Sequence, residues 1–219
     1  SADVIFFNGI HLEGKMSEIL ERMGEREVRT VAVAECVPEE ELIASTGFSG
    51  LHDPHVWFDV ALWSKTVDCV AESLVALDPD HATAYLERAE TYQAELSALD
   101  GWVRERVEAL APDQRVLVTA HDAFGYFGRA YGFDVRGLLG VSTAAEAGTS
   151  DVQELADFIV EREIPAIFVE TSVPPRYVQA LQEAVNSRGF AVAIGGSLYS
   201  DSLGNPGTAA GTNFRVRFN

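Results

Sequence analysis

The sequence predicts an α/β protein with two Rossmann-like α/β lobes that are joined by a long linking helix. Short apolar segments alternate with amphipathic helical segments in both halves of the chain, and this alternation is typical of α/β layering. Between the two halves lies one helical pattern that is too long to pack on a single small sheet. We therefore expect an N-terminal lobe at residues 1–79, a linking helix at residues 80–110 and a C-terminal lobe at residues 111–219.

Six segments are rich in apolar or β-branched residues and predict strands. They are residues 3–8, 28–36, 115–120, 133–139, 164–170 and 190–194. Other segments repeat apolar residues every three or four positions, which predicts helices. They are residues 12–23, 58–77, 85–110, 121–131, 150–163 and 176–188. Glycines follow three of these helices, as is common at helix ends: Gly24, Gly132 and Gly189.

The longest helical pattern is the basis of the two-lobe prediction. Its apolar stripe runs from Tyr85 to Leu110, which corresponds to roughly 40 Å of helix at 1.5 Å per residue. A helix of this length suits a rod that is laid along two lobes. A coiled-coil dimer is the alternative, but the flanking segments are rich in strands and the heptad pattern does not continue.

Composition limits the possible function classes. Hydrophobic residues make up 47% of the 219 residues, and 34 Asp+Glu stand against 16 Lys+Arg. The acidic balance argues against nucleic acid as a partner and fits a protein that handles cations. The sequence contains no run of 18 or more apolar residues, so it predicts no transmembrane helix. We expect Cys36 and Cys69 to be buried apolar residues, with a disulfide between them as the alternative.

Polar residues stand at the ends of predicted strands in the C-terminal half. His121 directly follows one strand, Glu170 ends another, and Asp201 lies a few residues beyond the last. Ligands of open α/β sheets bind at the carboxyl ends of the strands. In the N-terminal half, His55 precedes a helix, and Asp53-Pro54 fixes the turn before it.

These residue types are suited to transition metals. Imidazole nitrogens together with a carboxylate oxygen bind zinc, manganese or iron. A single histidine near a strand end is more often a hydrogen-bonded structural residue. As a set that is spread over both halves, however, the candidates predict a metal site in the cleft between the lobes.

Five motifs occur in an order and spacing that resemble a known family. They are Asn8-Gly9-Ile10-His11-Leu12-Glu13, Asp53-Pro54-His55-Val56-Trp57, Val118-Thr119-Ala120-His121-Asp122, Phe168-Val169-Glu170-Thr171-Ser172 and Tyr199-Ser200-Asp201-Ser202. On these motifs the chain resembles the metal-binding solute receptors of ABC transporters, especially the TroA-type zinc/manganese branch. The resemblance extends from about residue 2 to residue 212.

The resemblance implies three metal ligands, each carried over from a position in a family motif. They are His55 in Asp-Pro-His-Val-Trp, His121 after Val-Thr-Ala, and Asp201 in Tyr-Ser-Asp-Ser. Glu170 is expected to orient a ligand without binding the ion itself. His11 also lies in a family motif. We expect it to have a local structural role, with substitution for a ligand as the alternative.

The chain departs from the family pattern at both ends. The family begins with a strand, a helix, a second strand and another Asp-Pro-His motif whose histidine is a ligand. We therefore expect one ligand and one strand of the first sheet to lie outside this sequence. Residues 213–219 alternate like a strand where the family continues into a helix. We expect either this tail or a second molecule to pair with the incomplete N-terminal lobe.

The function implied by the resemblance is transport and not catalysis. A receptor of this kind captures Zn²⁺ or Mn²⁺ as the transported ligand and delivers it to an ABC transporter permease. It works in the periplasm or at the cell surface, with a signal segment that we expect to lie outside this chain. Two alternatives stay open: a metal-dependent hydrolase with Glu170 as the only candidate base, and a surface adhesin.

Overall fold

The structure is a computed structural model that describes residues 2–24, 28–45, 52–143 and 147–204. The chain divides into two units. The first comprises Ser1–Leu110 and Arg129–Tyr131, and the second comprises Ala111–Gly128 and Gly132–Asn219. Both units combine parallel strands with helices, which confirms the predicted α/β class. Within the described ranges, no helix is both long enough and apolar enough to span a bilayer.

The first unit contains a parallel pair of strands and three α-helices among its described residues. Strand β1 (Val4–Phe7) pairs with β2 (Arg29–Ala32) over four residues. The helices are α1 (Ser17–Gly24), α2 (Val60–Leu77) and α3 (Ala82–Glu108). α3 packs along α2, and the Gln93 side-chain amide of α3 donates to the Asp68 carboxylate of α2 at 2.8 Å. The long helix predicted from residue 85 is therefore present, and it begins three residues earlier.

Two element boundaries in the first unit differ from the predictions. The strand predicted at residues 28–36 ends at Ala32, and Val33–Cys36 forms a 3₁₀ turn. Val33 and Ala34 are buried in that turn, so their apolar character reflects burial and not an extended backbone. The helix predicted from residue 12 becomes α-helical only at Ser17. Before it, Gly14–Met16 forms a 3₁₀ turn, and Gly14 has a φ of 55°, which a right-handed α-helix excludes.

The second unit contains four strands and three α-helices among its described residues. They are β3 (Val116–His121), α4 (Gly125–Tyr131, whose last turn belongs to the first unit), β4 (Asp134–Leu139), α5 (Thr149–Glu161), β5 (Ala166–Glu170), α6 (Arg176–Asn186) and β6 (Ala193–Leu198). β3 pairs in parallel with β4, β5 pairs in parallel with β6, and β3 lies beside β5. α5 and α6 cover a core that includes Val118, Ile159, Ile167 and Val185.

The last strand begins and ends later than the sequence predicts. The prediction was residues 190–194, whereas β6 covers Ala193–Leu198 and so includes Gly195-Gly196-Ser197. Glycines normally weaken a strand, which is why the sequence suggests a loop there. Here the glycine is needed because the ring of Phe168 lies over Gly195, and a Cβ at this position would lie 2.5 Å from that ring. The extension places Asp201 three residues after the strand end.

A disulfide joins Cys36 to Cys69 in the first unit. It connects the 3₁₀ turn after β2 to the middle of α2, with a Cα–Cα distance of 6.2 Å. The prediction of two buried apolar cysteines is therefore wrong, and the alternative is the one found. Cys36 is exposed, and spacing along the chain does not reveal whether the two cysteines meet in three dimensions.

We expect reduction of this disulfide to destabilise the protein. The bond closes a loop of sequence separation 33, which in the chain-entropy model stabilises the folded state by roughly 3 to 4 kcal/mol. Urea unfolding with and without a reductant measures the loss. The double variant Cys36→Ala/Cys69→Ala is the control, because reductant should leave its stability unchanged. Equal unfolding midpoints for the wild-type protein in both conditions would contradict the expectation.

Candidate metal centre

His121 and Glu170 form a buried pair in the second unit. They are the last residues of β3 and β5, and they are 0% and 2% exposed to solvent, respectively. Glu170 Oε1 accepts a hydrogen bond from the backbone N–H of His121 at 2.8 Å. Its other oxygen, Oε2, lies 2.6 Å from Nδ1 of the His121 ring. One carboxylate therefore fixes both the backbone and the ring of the histidine.

Asp201 faces the other side of the same ring. Its Oδ2 lies 3.3 Å from Nε2 of His121, and its side chain is 22% exposed. The imidazole consequently has a buried carboxylate on one nitrogen and a partly exposed carboxylate on the other. The structure thus brings together three of the residues predicted from the sequence, all within the second unit.

Gly137 of the neighbouring strand allows the backbone to come close behind His121. A Cβ built on Gly137 would lie 2.3 Å from the backbone nitrogen of Asp122 and 2.6 Å from the carbonyl carbon of His121. No side chain fits at such distances, so any larger residue would displace the strand end that carries the histidine. The sequence analysis did not single out Gly137, because nothing in a lone glycine within a strand indicates which backbone lies next to it.

The two carboxylates raise the pKa of His121. Burial by itself lowers the pKa of an imidazole, but the interactions with Asp201 and Glu170 outweigh this effect and raise it from 6.5 to about 9. In the metal-free protein the His121 ring therefore carries a positive charge at neutral pH. A metal cation is favoured at the same place by the same negative charges, provided that it displaces the proton.

His55 is held in the first unit by an equivalent contact. It is 1% exposed and lies in the short segment between the isolated bridge at His52 and α2. Asp53 Oδ1 accepts from the His55 backbone N–H at 2.9 Å and lies 2.6 Å from the ring Nδ1. The Asp-Pro-His sequence thus carries its own orienting carboxylate two residues before the histidine. Predicting a turn from Asp53-Pro54 did not reveal this contact.

The carbonyl before His55 is held by Asn8. The Asn8 side-chain amide donates to the Pro54 carbonyl at 3.1 Å, across 46 residues of sequence. Asn8 directly precedes Gly9, Ile10 and His11, which have positive φ. The Glu13 carboxylate accepts from the Asn8 backbone N–H at 2.7 Å. The Asn-Gly-Ile-His-Leu-Glu motif thereby contacts the backbone of the Asp-Pro-His turn.

Both candidate histidines have a carboxylate at Nδ1. This arrangement is common around metal-binding histidines, because the carboxylate fixes the ring and leaves Nε2 to bind the ion. His11 has no such partner among the described contacts; it is exposed at a φ of 60°. It lies in the left-handed turn, and both its structural role and its alternative as a substitute ligand stay predictions.

Other histidines of the described chain have surface contacts. His52 Nε2 lies 3.7 Å from the exposed Glu39 carboxylate. His81 is largely exposed, and its Nδ1 lies 2.8 Å from Asp78, which also accepts from the Tyr85 hydroxyl. Neither histidine combines burial with a carboxylate at Nδ1, so His81 serves below as a control.

Comparison with known proteins identifies relatives of this chain. The model of a family described as "Zinc-uptake complex component A periplasmic" matches residues 1–216. The zinc-binding protein TroA of Treponema pallidum is 51% identical over 213 residues, which are 97% of this chain and 68% of the relative. The manganese-binding lipoprotein MntA of Bacillus subtilis is 45% identical over 212 residues, or 97% of this chain and 69% of the relative.

The fold is shared with a solved structure of the same type. The structure of the periplasmic zinc-binding protein TroA from Treponema pallidum superposes with a TM-score of 0.92 at 50% sequence identity. The match covers 96% of this chain and 75% of the solved chain. It confirms the architecture that the motif resemblance predicts.

The raised pKa of His121 predicts how the stability of the metal-free protein depends on pH. A histidine whose pKa is raised on folding stabilises the folded state below its unfolded pKa near 6.5, and this contribution is lost as pH rises through about 9. In the presence of a chelator, the free energy of unfolding should fall by up to about 3 kcal/mol over this interval. Urea titrations at a series of pH values measure it.

The variant His121→Gln serves as the control for this pH profile. Its neutral side chain cannot titrate, so the difference between wild type and variant isolates the histidine from other titrating groups. If the two profiles run parallel between pH 6.5 and 9, the assigned charge state of His121 is wrong.

Proposed function

Because the chain belongs to the family of the periplasmic component A of zinc-uptake complexes, we propose that it captures Zn²⁺ or Mn²⁺ and delivers the ion to an ABC transporter permease. A receptor of this family is not an enzyme, and it acts outside the cytoplasm. The observation that best supports the proposal is the buried His121 ring between two carboxylates. Such an arrangement favours a cation at the ring nitrogen that faces Asp201.

We propose His55, His121 and Asp201 as the ligands of the captured ion. The two histidines would bind through Nε2, since Nδ1 of each faces a carboxylate, Asp53 for His55 and Glu170 for His121. Asp201 would supply a carboxylate oxygen. In this set Glu170 and Asp53 orient the rings and contribute negative charge without binding the ion.

The donor set indicates which metals are suitable. Two imidazoles and one carboxylate suit zinc and are acceptable to manganese, whereas a carboxylate in place of His121 would favour manganese. The segment between Ser45 and His52 has no histidine-rich tract of the kind found in many dedicated zinc receptors. Two relatives of this chain are named for zinc and for manganese respectively. We therefore propose a receptor that accepts both ions.

The hydrolase alternative fails at its general base. Glu170 was the only candidate, and it faces His121: its Oε1 accepts from the His121 backbone N–H, and its Oε2 lies 2.6 Å from the ring Nδ1. At 2% exposure it also has no access to a water molecule that could attack a substrate. The adhesin alternative rests on no feature of the described residues.

The proposed ligand set predicts a metal-dependent stabilisation that His121 controls. A ligand that binds only the folded state stabilises it by about 2.7 kcal/mol at a hundredfold excess over Kd. His121→Ala should remove most of the rise in melting temperature that zinc or manganese causes. His81→Ala should keep the full rise, because His81 is exposed on the first unit. Differential scanning calorimetry with and without metal measures both, and equal rises in the two variants would place the metal elsewhere.

We also propose that the first sheet gains a further strand. Among the described residues, β1 pairs only with β2, and the side chains of Val4–Phe7 are half-buried. An unpaired strand edge of this kind favours pairing with another chain segment. The candidates are a second molecule and residues 214–218, whose alternation is typical of an edge strand and which lie outside the described residues.

Truncation tests this pairing. If the tail supplies the strand, we expect the chain ending at Thr212 to have a lower melting temperature than the full chain. If a second molecule supplies it, we expect both chains to have a mass in solution above that of a monomer. Light scattering and thermal unfolding of both chains provide the measurements. Two stable monomers with the same melting temperature would show that neither the tail nor a second molecule pairs with β1.

A further inference from the structure

Asp201 differs from the two histidines in its backbone setting. His121 ends a strand, and His55 lies in a buried turn, whereas Asp201 lies in a loop three residues beyond β6. A carboxylate on a free loop would lose conformational entropy each time it bound an ion, and this loss would weaken binding. The strength of the site therefore depends on whether this loop is already ordered.

Two hydroxyl pairs hold the loop on both sides of Asp201. The hydroxyl of Ser200, which is 4% exposed, lies 2.7 Å from the hydroxyl of Ser172. The hydroxyl of Ser202 lies 2.9 Å from that of Thr171. Ser200, before Asp201, and Ser202, after it, are thus hydrogen-bonded to two consecutive residues of the loop that follows β5, one partner each.

The backbone continues the same connection. The Thr171 N–H donates to the Leu198 carbonyl at 3.0 Å, one step beyond the ladder in which Glu170 is opposite Leu198. The three residues Glu170-Thr171-Ser172 therefore face two ligand candidates at once. Glu170 holds His121, and the next two residues hold the loop of Asp201.

We propose that Thr171, Ser172, Ser200 and Ser202 form a hydroxyl clasp that positions Asp201 for metal capture. This proposal rests on the proposed function and names residues that set the affinity of its site without touching the ion. Hydroxyl pairs suit the task because each is neutral and can both donate and accept. They order the loop without adding a charge that would compete with Asp201 for the cation.

The clasp makes a specific prediction for affinity. Removal of one hydroxyl hydrogen bond typically costs about 1 kcal/mol, which is about a fivefold change in affinity when the bond orders a ligand. Ser172→Ala and Thr171→Val should each weaken the binding of zinc and manganese about fivefold, and the double variant about 25-fold. The weaker affinity should appear mainly as a higher dissociation rate of the ion, because a mobile Asp201 carboxylate separates from the ion more often.

The experiment is a competition titration of the purified full chain against a fluorescent chelator, with zinc and manganese as the probes. Thr171→Ser keeps the hydroxyl and should bind as the wild type does. Ser187→Ala is the matched control, since its hydroxyl donates to the Ala184 carbonyl at the end of α6, away from the residues of the clasp. The melting temperatures of the metal-free variants are measured in parallel.

The outcomes separate the clasp from the function. Weaker metal binding by the double variant, with a metal-free melting temperature near that of the wild type and recovery in Thr171→Ser, supports the clasp. If Asp201→Ala loses binding while the double variant binds as tightly as the wild type, the clasp is wrong and the proposed function stands. A wild-type chain that binds neither ion overturns both.

Discussion

The pairing of His121 with Glu170 is the interaction on which the second unit's site depends. A carboxylate at 2% exposure is expensive to bury unless a cation and hydrogen-bond donors surround it. Here the His121 ring supplies the charge and the His121 backbone supplies a donor. They end β3 and β5, which lie side by side, so the packing of these two strands brings them together. Removing the His121 ring would take the cation away from the buried Glu170 carboxylate, and removing Glu170 would take the carboxylate away from Nδ1 of His121.

The surrounding residues serve this pair in different ways. Gly137 lets the strand end of His121 come within reach of β4, where any side chain would displace it. Gly195 does the same for β6, because the Phe168 ring lies over it and the strand can then continue to Leu198. The length of β6 in turn determines where the loop that carries Asp201 begins. Close backbone packing and the position of Asp201 are thus parts of one arrangement.

Much of this arrangement could be predicted from the sequence, but not all of it. Periodicity and strand composition predicted the α/β class and the long helix, and the position of His121, Glu170 and Asp201 at or after strand ends predicted that they lie close together. The contacts of Gly137, the extension of β6 through two glycines and the disulfide between Cys36 and Cys69 could not be predicted. Each depends on which segments lie next to each other in space, and a single sequence states only what lies next to what along the chain.

The charge of the site links capture to release. Two carboxylates beside a buried ring favour any positive charge there, and in the metal-free protein that charge is the proton on His121. If a divalent ion binds His121 as proposed, it must displace this proton, so the local charge would rise by one and not by two. In this proposal the site exchanges one cation for another, and the buried Glu170 carboxylate always has a positive charge beside it. Such an exchange keeps the folded site stable in both states, as a receptor that repeatedly loads and unloads an ion requires.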